Sequence, residues 1–256
     1  MAFTQRPGAH LYWKRDGRDD GPALVLLNSI GTDMDLWDGL LPRLRDRFAL
    51  LRIDARGHGA SVAGAGDYSL AMLADDVFAI ADDAGFDRFS VAGVSLGGMI
   101  AMEMALRAPT RIEKLMPVCT SATMDAASWD DRIATVRRDG MAAIVDLVMG
   151  RFLSDAAEPA VFQAVLRQLL AMDREGYAGC GAAIRDMALA DRITGIACPT
   201  LIVTGTRDTS TPFKGHGDHL LAQIPGAAHV ELEAAHLAPL EASDALADTI
   251  TLFLET

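Results

Sequence analysis

Short runs of apolar residues recur along the chain, and segments with helical spacing of apolar side chains lie between most of them. The segment 70–85 shows this spacing and ends in a glycine, which predicts a helix that stops near Gly85. The apolar runs predict buried strands at 23–28, 48–53, 89–93, 115–119, 200–205 and 228–232. Short buried strands that alternate with helices predict an α/β fold, with a mostly parallel sheet flanked by helices on both faces.

The alternation stops between about residues 120 and 196, where the chain has no convincing strand pattern. The periodicity predicts helices there instead, over 130–150, 158–173 and around 177–191. Because the strand pattern resumes at residue 200, we expect a helical cap inserted into the sheet domain rather than a separate C-terminal domain. The predicted organisation is a core of residues 1–121 and 197–256 with a cap insertion of residues 122–196.

The segment 89-FSVAGVSLGGMIAMEMAL-106 contains the first candidate chemistry, because an apolar run passes through Gly93-Val94-Ser95-Leu96-Gly97 directly into a helix pattern. A turn this tight strains its middle residue, and flanking glycines supply the space that it needs. Such a turn exposes the Ser95 hydroxyl and leaves the backbone N–H of Leu96 free to bind an oxyanion. Gly-x-Ser-x-Gly is the nucleophile-elbow pattern, although a glycine-rich turn with an incidental serine is the alternative.

A nucleophilic serine needs a general base, and the base needs an acid that orients it. After a nucleophile elbow the acid comes next in the chain and the histidine follows it. The segment 200-TLIVTGTRDTSTP-212 places Asp208 in a loop after a late strand, which fits the acid, while a turn or cap role is the alternative. Asp54 also follows a strand, but it precedes the serine and fits this order badly.

Six histidines compete for the role of the base. His236 is favoured because it follows the last predicted strand, in the loop 231-ELEAAHLAPLE-241 that precedes the final helix. His58 lies in the ARGHG turn and is expected to be structural. The remaining four lie in predicted strands or at a predicted helix start, at His10, His216, His219 and His229. Ser95, Asp208 and His236 are therefore the predicted catalytic triad.

An oxyanion hole of this kind takes a second N–H from the loop after an early strand. That loop lies in 25-VLLNSIGTDMDLW-37 and contains Asn28-Ser29-Ile30-Gly31. By position the donor is the backbone N–H of Ile30, with Gly31 as the alternative, and the sequence does not separate the two. An ordinary strand-to-helix turn would have the same sequence pattern.

Composition and charge restrict the expected partners. The chain has 256 residues, is 50% hydrophobic and carries a formal net charge of -12, so we expect its surface to repel nucleic acid and anionic membranes. The three cysteines form no CxxC pair, which favours packed thiols, and no zinc signature is present. The polar N-terminal segment has no apolar signal core, and we expect a cytoplasmic protein without a membrane span.

The chain resembles the α/β-hydrolases and, within them, the 3-oxoadipate enol-lactonases of bacterial aromatic degradation. The elbow and triad segments are common to the superfamily, whereas cap segments are more specific because caps diverge with substrate. The cap segments W..R..TVRRDGMAA and GYAGCGAAIRDM carry the closer likeness. The sequence departs from the family at Gly181, where a second cysteine is usual, and at Ala238-Pro239, where Ser-Asn is usual.

This resemblance implies a serine hydrolase that opens an anionic enol-lactone to 3-oxoadipate without a metal or an organic cofactor. The free carboxylate of that substrate needs a cation where cap and core meet. Trp129 and Arg132 are three residues apart and so lie on one face if the segment is helical, and we expect Arg132 to bind the carboxylate and Trp129 to line the pocket. A surface arginine and a core tryptophan are the alternative. Arg137 and Arg185 are rival ligands, although Arg185 precedes Asp186, with which it could pair.

Other functions use the same catalytic groups and stay open on the sequence alone. They are another carboxylesterase or lactonase, a C–C bond hydrolase, a cofactor-free perhydrolase of the haloperoxidase type, and a ligand-sensing hydrolase homologue. The presence of all three triad candidates argues against an inactive scaffold. The expected partner is a small anionic lactone, and a homo-oligomer is compatible with the sequence without being required by it.

Overall fold

The structure is a computed structural model that describes residues 2–256. Its centre is a nine-stranded sheet with strands β1 (Ala2–Arg6), β2 (Ala9–Gly17), β3 (Ala23–Leu27), β4 (Ala49–Ile53), β5 (Val62–Ala63), β6 (Phe89–Val94), β7 (Ile112–Val118), β8 (Leu201–Gly205) and β9 (Ala228–Leu232). Along the sheet the order is β1-β2-β4-β3-β6-β7-β8-β9, and β5 pairs with β2 outside this path. The six strands from β4 to β9 along this path are parallel to one another, which confirms the mostly parallel sheet, whereas β2 pairs antiparallel with β4.

Ten α-helices occur in residues 2–256: α1 (Leu41–Leu44), α2 (Leu70–Asp83), α3 (Leu96–Arg107), α4 (Ala126–Asp139), α5 (Val145–Phe152), α6 (Pro159–Ala171), α7 (Arg174–Arg185), α8 (Asp218–Gln223), α9 (Ala238–Glu241) and α10 (Ser243–Glu255). Further helical segments that are not α-helices are Met34–Leu40, Met141–Ile144, Ile193–Gly195 and Phe213–Gly217. None of these helices is long and apolar enough to cross a membrane.

The sheet is buried on both faces, which explains why its central strands are continuous apolar runs. Every residue of β4, β6 and β8 is buried, whereas β2 alternates buried and more exposed positions near its start. The antiparallel strands β1 and β2 therefore lack the continuous apolar signal of the parallel strands. The carboxyl ends of β3, β6, β8 and β9 lie along one edge of the sheet, where the following loops carry the candidate site residues.

Between β7 and β8 the described chain contains only helices, as the sequence predicts. The expected helix over 130–150 is wrong in detail, because α4 stops at Gly140, whose φ of 81° is outside the helical region, and α5 starts only at Val145. The helix expected around 177–191 begins earlier, at Arg174, because the Asp173 carboxylate caps it by accepting the Gly176 N–H at 2.7 Å. The boundaries of the cap insertion stay a prediction.

Candidate functional site

Ser95 is the single residue between β6 and α3, and its backbone is strained. Its φ is 55° and its ψ is -116°, and only Cys119 shares a positive φ among the described non-glycine residues. The Ser95 N–H donates to the carbonyl of Val118 at 2.9 Å, and the Thr120 hydroxyl donates to the Ser95 carbonyl at 2.6 Å. A conformation that costs about 1–3 kcal/mol is thus held by the neighbouring strand and the loop after it.

The glycines on either side of Ser95 are required by close backbone contacts. A Cβ atom on Gly93 would overlap the carbonyl group of Gly97, and a Cβ on Gly97 would lie 2.5 Å from the carbonyl oxygen of Leu27. The Gly97 N–H donates to the Asn28 carbonyl at 3.1 Å, which ties the start of α3 to the loop after β3. The expectation that these glycines supply space is therefore confirmed.

Asp208 and His236, which follow β8 and β9, are in direct contact. Nδ1 of His236 lies 3.0 Å from Oδ2 and 3.2 Å from Oδ1 of Asp208, and both side chains are buried. Burial by itself would raise the pKa of the Asp208 carboxyl, but the His236 ring and hydrogen bonds from Thr211 lower that pKa to about 2. Asp208 is therefore an ionised acceptor that fixes the His236 ring, and Phe152 stacks on that ring with centroids 5.8 Å apart.

Ser95 and His236 line one small cavity between the sheet edge and the helical segment. Of the other predicted site residues, Ile30, Trp129 and Arg132 line this cavity too. Further lining residues are Met99, Met124, Arg151, Phe152, Ile184, Ser210 and Thr211. Asp208 lies behind His236. A wider surface cleft between the core and α6 contains none of the predicted site residues.

The two predicted oxyanion donors are both free of protein acceptors. Within residues 2–256 neither the Ile30 N–H nor the Leu96 N–H makes a hydrogen bond. The Gly31 N–H, in contrast, donates to Nε2 of His58 at 3.1 Å. Between the two candidates in this loop, the geometry thus leaves Ile30 and not Gly31 available to an oxyanion.

Arg132 is placed against the cavity without a carboxylate partner in the described chain. Its guanidinium carbon lies 4.2 Å from the ring centroid of Trp129, and its buried Nε has no hydrogen-bond partner. The rival arginines are occupied elsewhere. Arg185 pairs with Asp186, Asp67 and Asp130, and Arg137 pairs with Asp67 and Glu175.

Arg151 is a cavity residue that reasoning from the sequence misses. It lies on α5, and no ion pair joins it to any described carboxylate. Arg132 and Arg151 also line a groove that opens to solvent between α4 and α5. The sequence carries no signal for this role, because Arg151 directly follows the helix predicted over 130–150.

The three cysteines are free thiols, of which Cys119 and Cys180 are buried, and burial raises the pKa of both. No group of side chains in residues 2–256 has the arrangement of a metal site. The reactive groups of the site are the strained Ser95, the His236 ring that Asp208 holds, and the free N–H groups of Ile30 and Leu96. This arrangement suits acyl transfer from esters.

Comparisons with known proteins agree with a site for acyl transfer from esters. Residues 22–139 match the family described as the alpha/beta hydrolase fold. The chain is 29% identical over 231 residues to 3-oxoadipate enol-lactonase 2 of Acinetobacter baylyi, covering 88% of this chain and 85% of the relative. It is also 31% identical over 221 residues to a pimeloyl-[acyl-carrier protein] methyl ester esterase of Nitrosomonas europaea, covering 81% of this chain and 85% of that relative.

A solved structure is similar over the whole chain. The enol-lactonase from Burkholderia xenovorans LB400 superimposes with a TM-score of 0.95 at 33% identity, covering 99% of this chain and all of the other. The protein belongs to the α/β-hydrolase fold family. Within that family it is an ester hydrolase whose similar relatives include the 3-oxoadipate enol-lactonases.

Proposed function

We propose that this protein is a 3-oxoadipate enol-lactonase, in which Ser95, Asp208 and His236 form the catalytic triad. The observation that carries the substrate class is the pair of arginines, Arg132 and Arg151, that line the Ser95 cavity without carboxylate partners. Nε of Arg132 is buried without a hydrogen-bond partner, which is unfavourable for a cation, whereas Arg151 is exposed at the edge of the cavity. In a chain of net charge -12, where carboxylates are plentiful, an anionic substrate is the natural partner for both groups.

Acylation begins when Oγ of Ser95 attacks the lactone carbonyl carbon and its proton passes to Nε2 of His236. Asp208 holds the ring through Nδ1 and stabilises the imidazolium that forms. The carbonyl electrons move onto oxygen, and the N–H groups of Ile30 and Leu96 bind this oxyanion. Removal of one such donor typically lowers kcat by about 10²–10³.

Ring opening follows when the tetrahedral intermediate collapses and the bond from the acyl carbon to the ring oxygen breaks. The leaving oxygen takes the proton from His236 and becomes an enol, which tautomerises to the ketone. A water molecule then attacks the acyl group, with His236 accepting its proton, and Ser95 is regenerated. Lactone and one water thus give 3-oxoadipate without a redox step or cofactor.

The helical segment supplies the specificity in this proposal, and we assign residues 122–196 to a cap over the core. Trp129 carries the Arg132 guanidinium on its ring face, which keeps the cation oriented toward the cavity. Arg151 approaches from α5 and borders both the cavity and the outer groove. We assign the groove as the path by which the substrate carboxylate reaches Arg132.

Preference for an anionic lactone over a neutral one tests this proposal. The enol-lactone with a free carboxymethyl group is compared with the same lactone after methyl esterification of that group. We expect kcat/KM to fall by about 10–100-fold on esterification, since a hydrogen bond to a charged group contributes about 1.5–3 kcal/mol. Equal kcat/KM values for the two lactones would refute the proposed role of the arginines.

A second candidate is a methyl ester esterase, which the similarity to the Nitrosomonas europaea esterase favours. The same triad would release methanol from a methyl ester, and the arginines would bind a distal carboxylate. Methanol release from monomethyl pimelate distinguishes the two candidates. Turnover of this ester that exceeds turnover of the enol-lactone would favour the esterase.

A further inference from the structure

The side chain of His58 is buried beneath the loop that follows β3, outside the triad and outside the cavity. It is 1% exposed. Its Nδ1 lies 2.9 Å from the carbonyl oxygen of Arg56, and its Nε2 lies 3.1 Å from the backbone nitrogen of Gly31. Both ring nitrogens thus contact backbone groups, and neither contacts a carboxylate.

These two partners fix the tautomer of the His58 ring. A carbonyl oxygen can only accept, so Nδ1 carries the proton, and a backbone N–H can only donate, so Nε2 is unprotonated. Burial lowers the pKa of His58 to about 4, which keeps the ring neutral at neutral pH. At that pH Nε2 is a permanent acceptor for the Gly31 N–H.

We propose that His58 is a positioning residue, which binds the Gly31 N–H and thereby presents the Ile30 N–H to the Ser95 cavity as the oxyanion donor. Gly31 has a φ of 84°, which glycine adopts without strain, and the preceding N–H, that of Ile30, has no acceptor in the described chain. Ile30 lines the cavity together with Ser95. The proposal rests on the proposed catalytic site, but it applies to any ester.

Other contacts hold the two ends of this loop, and the contact with His58 lies between them, at Gly31. At one end the Asn28 side chain donates to the Ile53 carbonyl at 2.7 Å. At the other end the Met34 N–H donates to Asp54 Oδ1 at 2.8 Å. Loss of the His58 acceptor should therefore shift the middle of the loop without releasing its ends.

The expected effect is on the transition state rather than on substrate binding. The oxyanion carries its charge only in the tetrahedral intermediate, so a displaced donor lowers kcat and leaves KM nearly unchanged. The donor is displaced and not deleted, so the loss should be smaller than the ~10²–10³ that follows removal of a donor. We expect kcat to fall by about 10–50-fold.

The test compares His58→Leu, which has no acceptor, with His58→Gln, whose amide oxygen can replace Nε2. With 4-nitrophenyl acetate, we expect the Leu variant to show the fall in kcat with KM within about threefold of wild type. The Gln variant should recover most of the kcat. His229→Leu is the control, because it removes a histidine hydrogen bond, to Thr204, that does not involve the loop after β3.

Three outcomes would overturn the proposal: an unchanged kcat in His58→Leu, equal losses in the Leu and Gln variants, or a loss confined to KM. Ser95→Ala is measured in parallel, and if it keeps its activity, the proposed site itself has failed. Nitrogen-15 NMR of histidine-labelled wild-type protein gives a readout that needs no variant to fold. We expect the His58 ring as the neutral tautomer protonated at Nδ1 at pH 7, and a proton on Nε2 would contradict the assignment.

Discussion

Gly57 and Gly176 lie against each other where the loop after β4 meets the first turn of α7. A Cβ atom on either residue would overlap the Cα of the other. The contact joins the helical segment to the core directly beside His58. It therefore sets how closely the helices that carry the cavity wall approach the sheet edge.

Replacement of Gly176 by alanine should destabilise the protein. Overpacking at a site without free space typically costs about 1–3 kcal/mol. Chemical denaturation measures the free energy of unfolding. Gly150→Ala is the control, since Gly150 lies in α5 with open space where a Cβ would stand, and there alanine should stabilise by up to about 1 kcal/mol. Equal changes in the two variants would contradict the packing argument.

Asp208→Asn should retain the fold and lose most of the activity. The amide keeps an oxygen for the N–H groups of Ser210 and Thr211, but it no longer supplies the charge that orients the proton of His236. A loss of about 10⁴ in kcat is expected, as for the same change in a serine protease triad. Ester hydrolysis and thermal melting of the same preparation measure both effects. A kcat within tenfold of wild type would remove Asp208 from the triad.

Arg151→Gln should weaken the binding of the anionic lactone while leaving neutral esters unaffected. Loss of a charge-assisted hydrogen bond predicts a rise in KM of about 10–100-fold for the lactone. Steady-state kinetics with the lactone and with 4-nitrophenyl acetate separates these effects. Arg138→Gln is the matched control, because it removes the same charge from α4 at an exposed arginine that pairs with Asp139. A similar rise in KM in both variants would indicate a general charge effect.

Asp33 should make stability depend on pH. Burial raises its pKa from 3.8 to about 6, so the folded protein binds the proton more tightly than the unfolded chain. This contribution to stability is complete below about pH 4 and is lost as the pH rises through 6. An asparagine carries no charge at either pH. Asp33→Asn should therefore raise the free energy of unfolding, relative to wild type, by about 1 kcal/mol more at pH 8 than at pH 4. This value allows for the partial exposure of the Asp33 side chain. An effect that is the same at both pH values would contradict the raised pKa.

The central sheet and the turn at Ser95 could be predicted from the sequence for a physical reason. Strands covered on both faces are continuous apolar runs, and the turn at Ser95 has space only for glycine at Gly93 and Gly97. Asp208 and His236 could be proposed from chain order because the loops after parallel strands meet at one edge. The pairing of their side chains is a tertiary contact across 28 residues, and only the structure displays it.

Details that depend on contacts between distant segments could not be predicted. Helical periodicity continues across Gly140, so the break between α4 and α5 was missed. Periodicity assigns a residue to a helix face but not to a neighbouring helix, so Arg151 carried no signal. The choice between Ile30 and Gly31 depends on the ring of His58, which comes from another loop.

Hydrolysis of freshly prepared 3-oxoadipate enol-lactone is the measurement that tests the proposed function most directly. The reaction is followed by loss of the ultraviolet absorbance of the lactone, with wild type and Ser95→Ala at equal concentration. We predict rapid turnover by the wild type and a Ser95→Ala rate at the spontaneous background. A wild type that leaves the lactone at its spontaneous rate while cleaving simple esters would contradict the lactonase assignment and leave an esterase.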